Sequence, residues 1–358
     1  MRIGVVLGGG ALKGMAHIGA LRALQEAGIQ PALYAGTSIG AMIAAAAACG
    51  RSLEELTERA RHFRRRDLFR INHMGMLMER MLSRSIYLEG PLRALTEELV
   101  QPGTFADLAT PLLVTAVDLE RGTPLIFGTP GLTHVPVRDA VYASCALPGF
   151  FPPGVVGDRT CIDGGTTDNL PIAIAGLSVD ALIAVDVGIA DVPVARGVAE
   201  QGFASIFMRA ATMMMHHQQQ AALERWSTPP LLLVRPHVSH IGWFSFAHVD
   251  ELLEVGYTAT RDALRHLPDV LAARGGIFPR EDMAIQIDRP RCTGCALCVA
   301  RHPDLVHLAP DGKAEPLVSI LELSPRELAL ARCCPFGAIS VEPVGARDVI
   351  EERLSQLG

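Results

Sequence analysis

Ser38 lies in Gly36-Thr37-Ser38-Ile39-Gly40, between a short apolar run and an alanine-rich stretch. A serine in a Gly-x-Ser-x-Gly turn between a strand and a helix presents its hydroxyl above a sheet, where it can attack an acyl carbon. Glycine on both sides leaves room for the helix and for incoming substrate. A helix-capping serine is the competing structural reading. The hydroxyl also needs a base to take its proton. Two routes are open: an acid followed by a late histidine, for which His237, His240 and His248 are available, or a carboxylate acting alone. None of the histidines sits in a distinctive turn. Asp163-Gly164-Gly165 does, because two glycines after a carboxylate let a second loop approach closely.

Gly8-Gly9-Gly10-Ala11-Leu12-Lys13-Gly14 follows an apolar run and opens a helix-like stretch, so its amides can converge on a negative atom. A phosphate loop, a dinucleotide fingerprint, an oxyanion hole and a plain tight turn compete for it. No Gly-Lys-Ser/Thr closes the motif, and the acidic residue expected about 20 positions on is missing.

Of the eight cysteines, five follow residue 290. Cys292, Cys295 and Cys298 form Cys-x2-Cys-x2-Cys, and Cys334 precedes Pro335. Three thiolates at this spacing can wrap one face of a cubane cluster, with a distant Cys-Pro supplying the fourth ligand. Structural zinc is the alternative, although zinc sites usually pair their cysteines two and two. Cys333 reads as a spare thiol, and Cys49, Cys145 and Cys161 as ordinary buried thiols.

Four ordered motifs together resemble the patatin-like phospholipases: the glycine loop with Lys13, the Ser38 turn, Ala143-Ser144-Cys145-Ala146-Leu147-Pro148-Gly149, and Asp163-Gly164-Gly165 with Asp168-Asn169-Leu170-Pro171. The resemblance covers residues 1 to about 268. It implies a three-layer α/β/α sandwich with a mostly parallel sheet, Ser38 as nucleophile, Asp163 as base in a dyad without histidine, and the amides of Gly8, Gly9 and Gly10 as the oxyanion hole. The usual substrates would be acyl esters of phospholipids or other lipids. Ala11 departs from the pattern, standing where many members carry glycine. Residues 283 to 345 resemble a bacterial-type ferredoxin, a small α+β domain. His302 before Pro303, and Ser324, Glu327 and Leu330, occupy positions where two-cluster ferredoxins have cysteines, so one [4Fe-4S] cluster on Cys292, Cys295, Cys298 and Cys334 is implied.

These residues need elements to hold them. Short apolar runs alternate with helix-like stretches as in an α/β domain. Strands are expected at 3–7, 32–35, 112–118, 125–127 and 182–187. Helices are expected at 14–27, 39–49, 53–63, 91–99 and 249–267. The domain 1–268, a linker 269–282, the ferredoxin-like domain 283–345 and a tail 346–358 follow. In the last domain, 284–288 and 339–342 should pair as strands, Asp311-Gly312 should turn a hairpin, and 325–333 should be helical.

With 49% hydrophobic and 20% charged residues, the 358-residue chain can build a large core. A formal net charge of -6 removes the electrostatic reason to expect nucleic acid as a partner. The N-terminus lacks signal-peptide features, and the longest apolar run, Ala41 to Cys49, is far short of the ~20 residues of a bilayer span. A cytoplasmic location, with peripheral membrane contact, is the expectation. The basic run Arg59, Arg61, His62, Arg64, Arg65, Arg66 and Arg70 would suit anionic headgroups, but Glu54, Glu55 and Glu58 favour a solvated helix face. Met213 to Met215 read as core or as a flexible acyl-chain wall.

Two functions compete. The first is a serine acyl-hydrolase cleaving lipid or other esters, its cluster serving electron transfer to a redox partner protein or redox sensing. The second is a redox-regulatory or electron-transfer protein on the same scaffold with little hydrolysis.

Overall fold

The computed structural model describes residues 1–73, 83–188, 196–327 and 329–344. The expected tail, 346–358, lies outside the described residues, as does residue 345 at the end of the expected ferredoxin-like domain. The chain divides into two compact units, Met1–Gly276 and Ile277–Gly358. The segment expected as a linker carries the helix Leu267–Ala272 and the short strand Ile277–Phe278, and a further strand begins at Glu281.

In the first unit, β1 (Ile3–Leu7), β2 (Leu33–Gly36), β3 (Leu112–Asp118), β4 (Thr123–Phe127), β5 (Gly154–Val156), β6 (Arg159–Asp163), β7 (Ala181–Val185) and β8 (Leu231–Val234) build one mixed sheet. Its hydrogen-bonded neighbours are β5 with β6, β6 and β2 both with β3, β2 with β1, β1 with β7 and β7 with β8, and β4 also pairs with β3. The pairs β3-β2, β2-β1, β1-β7 and β7-β8 are parallel. Every residue of β3, β7 and β8 is buried, as strands covered on both faces require.

Helices α1 (Met15–Glu26), α2 (Ile39–Ala48), α3 (Leu53–His62), α4 (Glu89–Leu99), α5 (Val137–Cys145), α6 (Ile172–Gly176), α7 (Phe203–Glu224) and α8 (Val249–Ala263) flank the sheet. The alanine-rich α2 is buried over most of its length. The single long helix expected at 249–267 instead ends at Ala263 and continues as a 3-10 turn, Leu264–His266. Among the described residues, no helix is long and apolar enough to cross a membrane.

The β3 ladder fixes where the site forms. Tyr34, Ala35 and Gly36 pair with Leu112, Leu113 and Val114, while Asp163, Ile162 and Cys161 pair with Ala116, Val117 and Asp118. β4 pairs with Val114 to Asp118, overlapping both ranges, and so must hold the opposite edge. β2 and β6 therefore lie end to end along one edge of β3. β2 runs parallel to β3 and β6 antiparallel, so their C-terminal ends point at each other with only Thr115 between them. Arg159, the first residue of β6, pairs with buried Asp118 at 3.1 Å and helps set this register. Hydrogen bonding to Arg121, above all, holds the Asp118 carboxyl down to about 2.

The second unit has a three-stranded antiparallel sheet, ordered Ile320–Leu323, Glu281–Ile287, Ile339–Pro343, and a hairpin of Val306–Leu308 with Ala314–Pro316. The hairpin turns at Gly312, whose φ of 80° suits glycine. Ile285, Leu305, Val306, Leu323 and Leu330 belong to its buried core. The helix expected at 325–333 is shorter, Ala329–Cys333, because Ser324 to Glu327 form a turn in which the Glu327 carboxylate accepts from the Ser324 amide at 2.8 Å.

α1, which follows the glycine loop directly, packs on α8 at a glycine-to-backbone crossing. A Cβ on Gly256 would lie 2.0 Å from the Ala16 carbonyl oxygen, and one on Gly19 would lie 1.9 Å from that of Leu253. Backbone cannot yield there as a flexible side chain would. Gly256→Val is expected to cost about 3 kcal/mol, read as a lower urea midpoint at unchanged slope.

Candidate active site

Ser38 follows β2 at the start of α2, with φ 55° and ψ −126°. This strained backbone turns the hydroxyl away from the helix axis. Gly40 is needed because any Cβ there would meet the Leu7 carbonyl oxygen at 2.0 Å. The Ser38 amide donates to Ser144 Oγ at 2.8 Å, so the buried motif serine on α5 helps hold the strained turn. Thr37 Oγ1 lies 2.7 Å from Thr115 Oγ1 and donates to the Asp168 carbonyl at 2.9 Å, tying the turn to the gap between β2 and β6.

Asp163 ends β6 in that gap. Ser38 Oγ donates to Asp163 Oδ2 at 2.6 Å, and the Gly165 amide donates to Asp163 Oδ1 at 2.8 Å. The carboxyl is buried, and desolvation pushes its pKa up to about 6 against these two hydrogen bonds. It can thus bind a proton near neutral pH yet remains mostly ionised at pH 7.

The opening loop differs from expectation at two of its three glycines. The Gly8 amide donates to the Val185 carbonyl and the Gly9 amide to the Asn169 carbonyl, both at 3.0 Å, so neither is available to an oxyanion. They anchor the loop to β7 and to the Asp163 turn instead. Gly10 and Ala11 donate to no carbonyl among the described residues, and both line the same cavity as Ser38 and Asp163.

Three further groups fix this loop. His17, fully buried on α1, donates from Nε2 to the Gly8 carbonyl at 2.7 Å, and burial lowers its pKa to about 4, so the ring stays neutral. Asn169 donates from Nδ2 to the Gly9 carbonyl at 3.2 Å. Gln219 on α7 links Asn169, at 3.2 Å, to buried Asp186, at 2.6 Å. His17 and Gln219 carry no sequence signal of a role. Asn169 belongs to the Asp168-Asn169-Leu170-Pro171 motif, but its task depends on a contact 160 residues away.

The cavity encloses about 950 Å³ of space, including its open mouth. Its walls are apolar, from Met15 and Ile18 through Met42, Leu56, Leu95 and Trp243, and its polar lining includes Ser38, Asp163, Asn169 and Arg59. Met215 of the methionine run lines it, whereas Met213 and Met214 are exposed. His237, His240 and His248 do not line it, and His240 and His248 bind Glu251 at 2.7 and 2.8 Å. Cys145 and Cys161 are buried and Cys49 only half-buried. Burial, then the Asp163 charge, raises the pKa of Cys145, leaving an inert thiol beside the serine.

In the second unit, Cys292, Cys295, Cys298 and Cys334 line one small cavity. The Ala314 amide donates to Cys292 Sγ at 3.4 Å and the Ala338 amide to Cys334 Sγ at 3.3 Å. Amide donors aimed at sulfur suit thiolates that share negative charge with a cluster. Among the described residues, no three His, Cys, Asp or Glu side chains converge as ligands of a single ion would.

Residues 5–175 match the family model of patatin-like phospholipase, and residues 285–341 that of the 4Fe-4S single cluster domain. An uncharacterized NTE family protein of Mycobacterium tuberculosis (strain ATCC 25618 / H37Rv) is 35% identical over 51% of this chain and 48% of its own length. A lysophospholipase NTE1 of Coccidioides immitis is 30% identical over 78% of this chain and 18% of its own. The chain thus spans about half or less of these relatives. The crystal structure of VipD from Legionella pneumophila aligns with a TM-score of 0.38 at 15% identity, covering 74% of this chain and 67% of that one.

Ala11 adopts φ 49°, a left-handed conformation that favours glycine. Ala11→Gly is expected to raise stability by about 1 kcal/mol, measured as a higher urea midpoint.

Proposed function

We propose that the first unit is a serine acyl-hydrolase acting on lipid or other carboxylic esters. The carrying observation is the 2.6 Å hydrogen bond from Ser38 Oγ to the buried Asp163 carboxylate, beside an apolar cavity. Asp163 accepts the hydroxyl proton as Ser38 Oγ attacks the ester carbonyl. The amides of Gly10 and Ala11 then hold the tetrahedral oxyanion. Collapse of the intermediate returns the proton to the departing alcohol and leaves an acyl-enzyme, which water cleaves with Asp163 again as base. Loss of one such amide donor would raise the barrier by about 3 kcal/mol. The apolar walls favour an acyl chain, and the lysophospholipase name of the Coccidioides relative supports a lipid ester.

We infer further that Cys292, Cys295, Cys298 and Cys334 hold one [4Fe-4S] cluster, which when bound supplies one-electron chemistry for electron transfer or redox sensing. The shared cavity and the amides on Cys292 and Cys334 support it. The three-plus-one spacing of these cysteines favours the cluster over structural zinc, whose sites usually pair their cysteines two and two.

Ser38→Ala should abolish labelling by a fluorophosphonate probe; persistent labelling would overturn the nucleophile. Only ionised Asp163 accepts a proton, so kcat/KM should be level above the pKa of about 6 and fall below it. The stability sign is opposite. A carboxylate pKa raised in the folded state favours the fold at low pH, and that contribution is lost as pH rises from 3.8 to about 6. Asp163→Asn should therefore lower kcat by about 10²–10⁴-fold while raising Tm at pH 7. Anaerobically purified protein should contain iron and acid-labile sulfide in equal amounts, and Cys334→Ala should lose both; zinc in their place would contradict the cluster.

A further inference from the structure

We propose that the arginine-rich corner following α3 docks on an anionic lipid bilayer, at the mouth of the cavity beside Ser38. The use of such a surface rests on the acyl-hydrolase reading; its existence does not.

Charge is segregated here. The chain carries a net charge of -6, yet residues 59–70 hold six arginines against one acidic residue, Asp67. Among the described residues, Glu54, Glu55 and Glu58 form no salt bridge with these arginines. Glu55 caps the start of α3 through Ser52, and Glu58 lies 3.2 Å from His62. Arg59 instead binds Glu98 at 2.6 Å, and Arg61 binds Asp250 at 2.8 Å. Arg64 donates to the carbonyls of Arg61 and Phe63, and the Arg65 guanidinium lies 5.8 Å over the Phe69 ring. The Arg64 amide donates to Asp67 Oδ2 at 2.9 Å, but among the described residues the guanidiniums of Arg64, Arg65 and Arg70 form no salt bridge, and all three residues are exposed.

The corner also has an apolar edge. Ile71 bridges Tyr87 antiparallel, and Leu88 donates its amide to the Arg70 carbonyl, which makes a short two-stranded ribbon. Tyr87 packs on Phe69 at 4.6 Å and on Phe150 and Phe151, so alternation along the ribbon turns its neighbours Ile86 and Leu88 outward. On that outward side Ile86 and Leu88 are each 37% exposed, while Ile71, opposite Tyr87 on the other face of the ribbon, is 44% exposed.

The arginine segment adjoins the cavity, because its Arg59, Phe63 and Leu68 line it, and the ribbon reaches it through Phe69, whose ring packs on both Tyr87 and cavity-lining Phe244. A bilayer supplies phosphates for the guanidiniums, an apolar interface for Ile86 and Leu88, and acyl esters at the mouth. An acidic protein or a nucleic acid would account for the charge alone.

The test mixes the full chain with phosphatidylcholine vesicles, with and without phosphatidylglycerol, and measures co-sedimentation. Wild type should bind the phosphatidylglycerol vesicles preferentially and be released by salt, a result that needs no variant. The triple variant Arg64→Gln, Arg65→Gln, Arg70→Gln should bind about 100-fold more weakly, at ~1 kcal/mol per arginine. It should hydrolyse a soluble short-chain ester as wild type does, which also reports its folding. Equal binding of wild type to both vesicle types, no binding, or undiminished binding by the triple variant would each overturn the proposal. Vesicle binding without any ester hydrolysis by wild type would leave the docking surface standing and sink the hydrolase reading.

Discussion

The site depends on two strands sharing one edge of a third. β2 and β6 approach each other along β3 from opposite directions and stop on either side of Thr115. A strand end is where side chains leave the sheet and turn begins, so two facing ends place two loops in contact. Ser38 and Asp163, 125 residues apart, meet because of this arrangement. Thr37, Thr115 and Ser144 fasten the meeting point, and Asp118 with Arg159 fixes the register that delivers Asp163. A slip of one residue in β6 would turn Asp163 to the opposite face of the sheet.

Burial gives the carboxylate its character. An exposed aspartate would be too weak a base for a serine hydroxyl, and one fully starved of hydrogen bonds would stay protonated. Asp163 lies between these limits because desolvation opposes donors from Ser38 and Gly165. The same burial costs stability at neutral pH, so the fold carries a local strain that catalysis would use. The opening loop follows the same logic. His17, Asn169 and the carbonyls of Val185 and Asn169 absorb the polar groups of Gly8 and Gly9, while Gly10 and Ala11, which line the cavity, donate to no carbonyl among the described residues.

Local signals in the sequence were strong where the chemistry demands a turn. Strands at 3–7 and 112–118 and the helix starting at Ile39 agree with the structure to the residue, because each is dense in apolar residues and has a sharp boundary. The strand that delivers Asp163 carries only a weak sequence signal. Arg159-Thr160-Cys161-Ile162-Asp163 is short and half polar, although Gly157-Asp158 between Val155-Val156 and this segment is a hairpin signal that could have revealed it. The task of each loop glycine was also hidden, since Gly8 and Gly9 find their acceptors 160 or more residues away. Pairing of the arginines with nearby glutamates was reasonable from helical spacing, but Glu55 went to the cap and the arginines to Glu98, Asp250 and Asp67. Spacing within a helix cannot register partners supplied by tertiary packing.

The most direct test of the dyad is to quench the protein in acid during turnover of a slowly hydrolysed ester and locate the bound acyl group by peptide mass spectrometry. The account predicts the added acyl mass on Ser38, within the Gly36–Gly40 turn. An adduct on Cys145, which lines the same cavity, or turnover with no covalent adduct on Ser38, would contradict it.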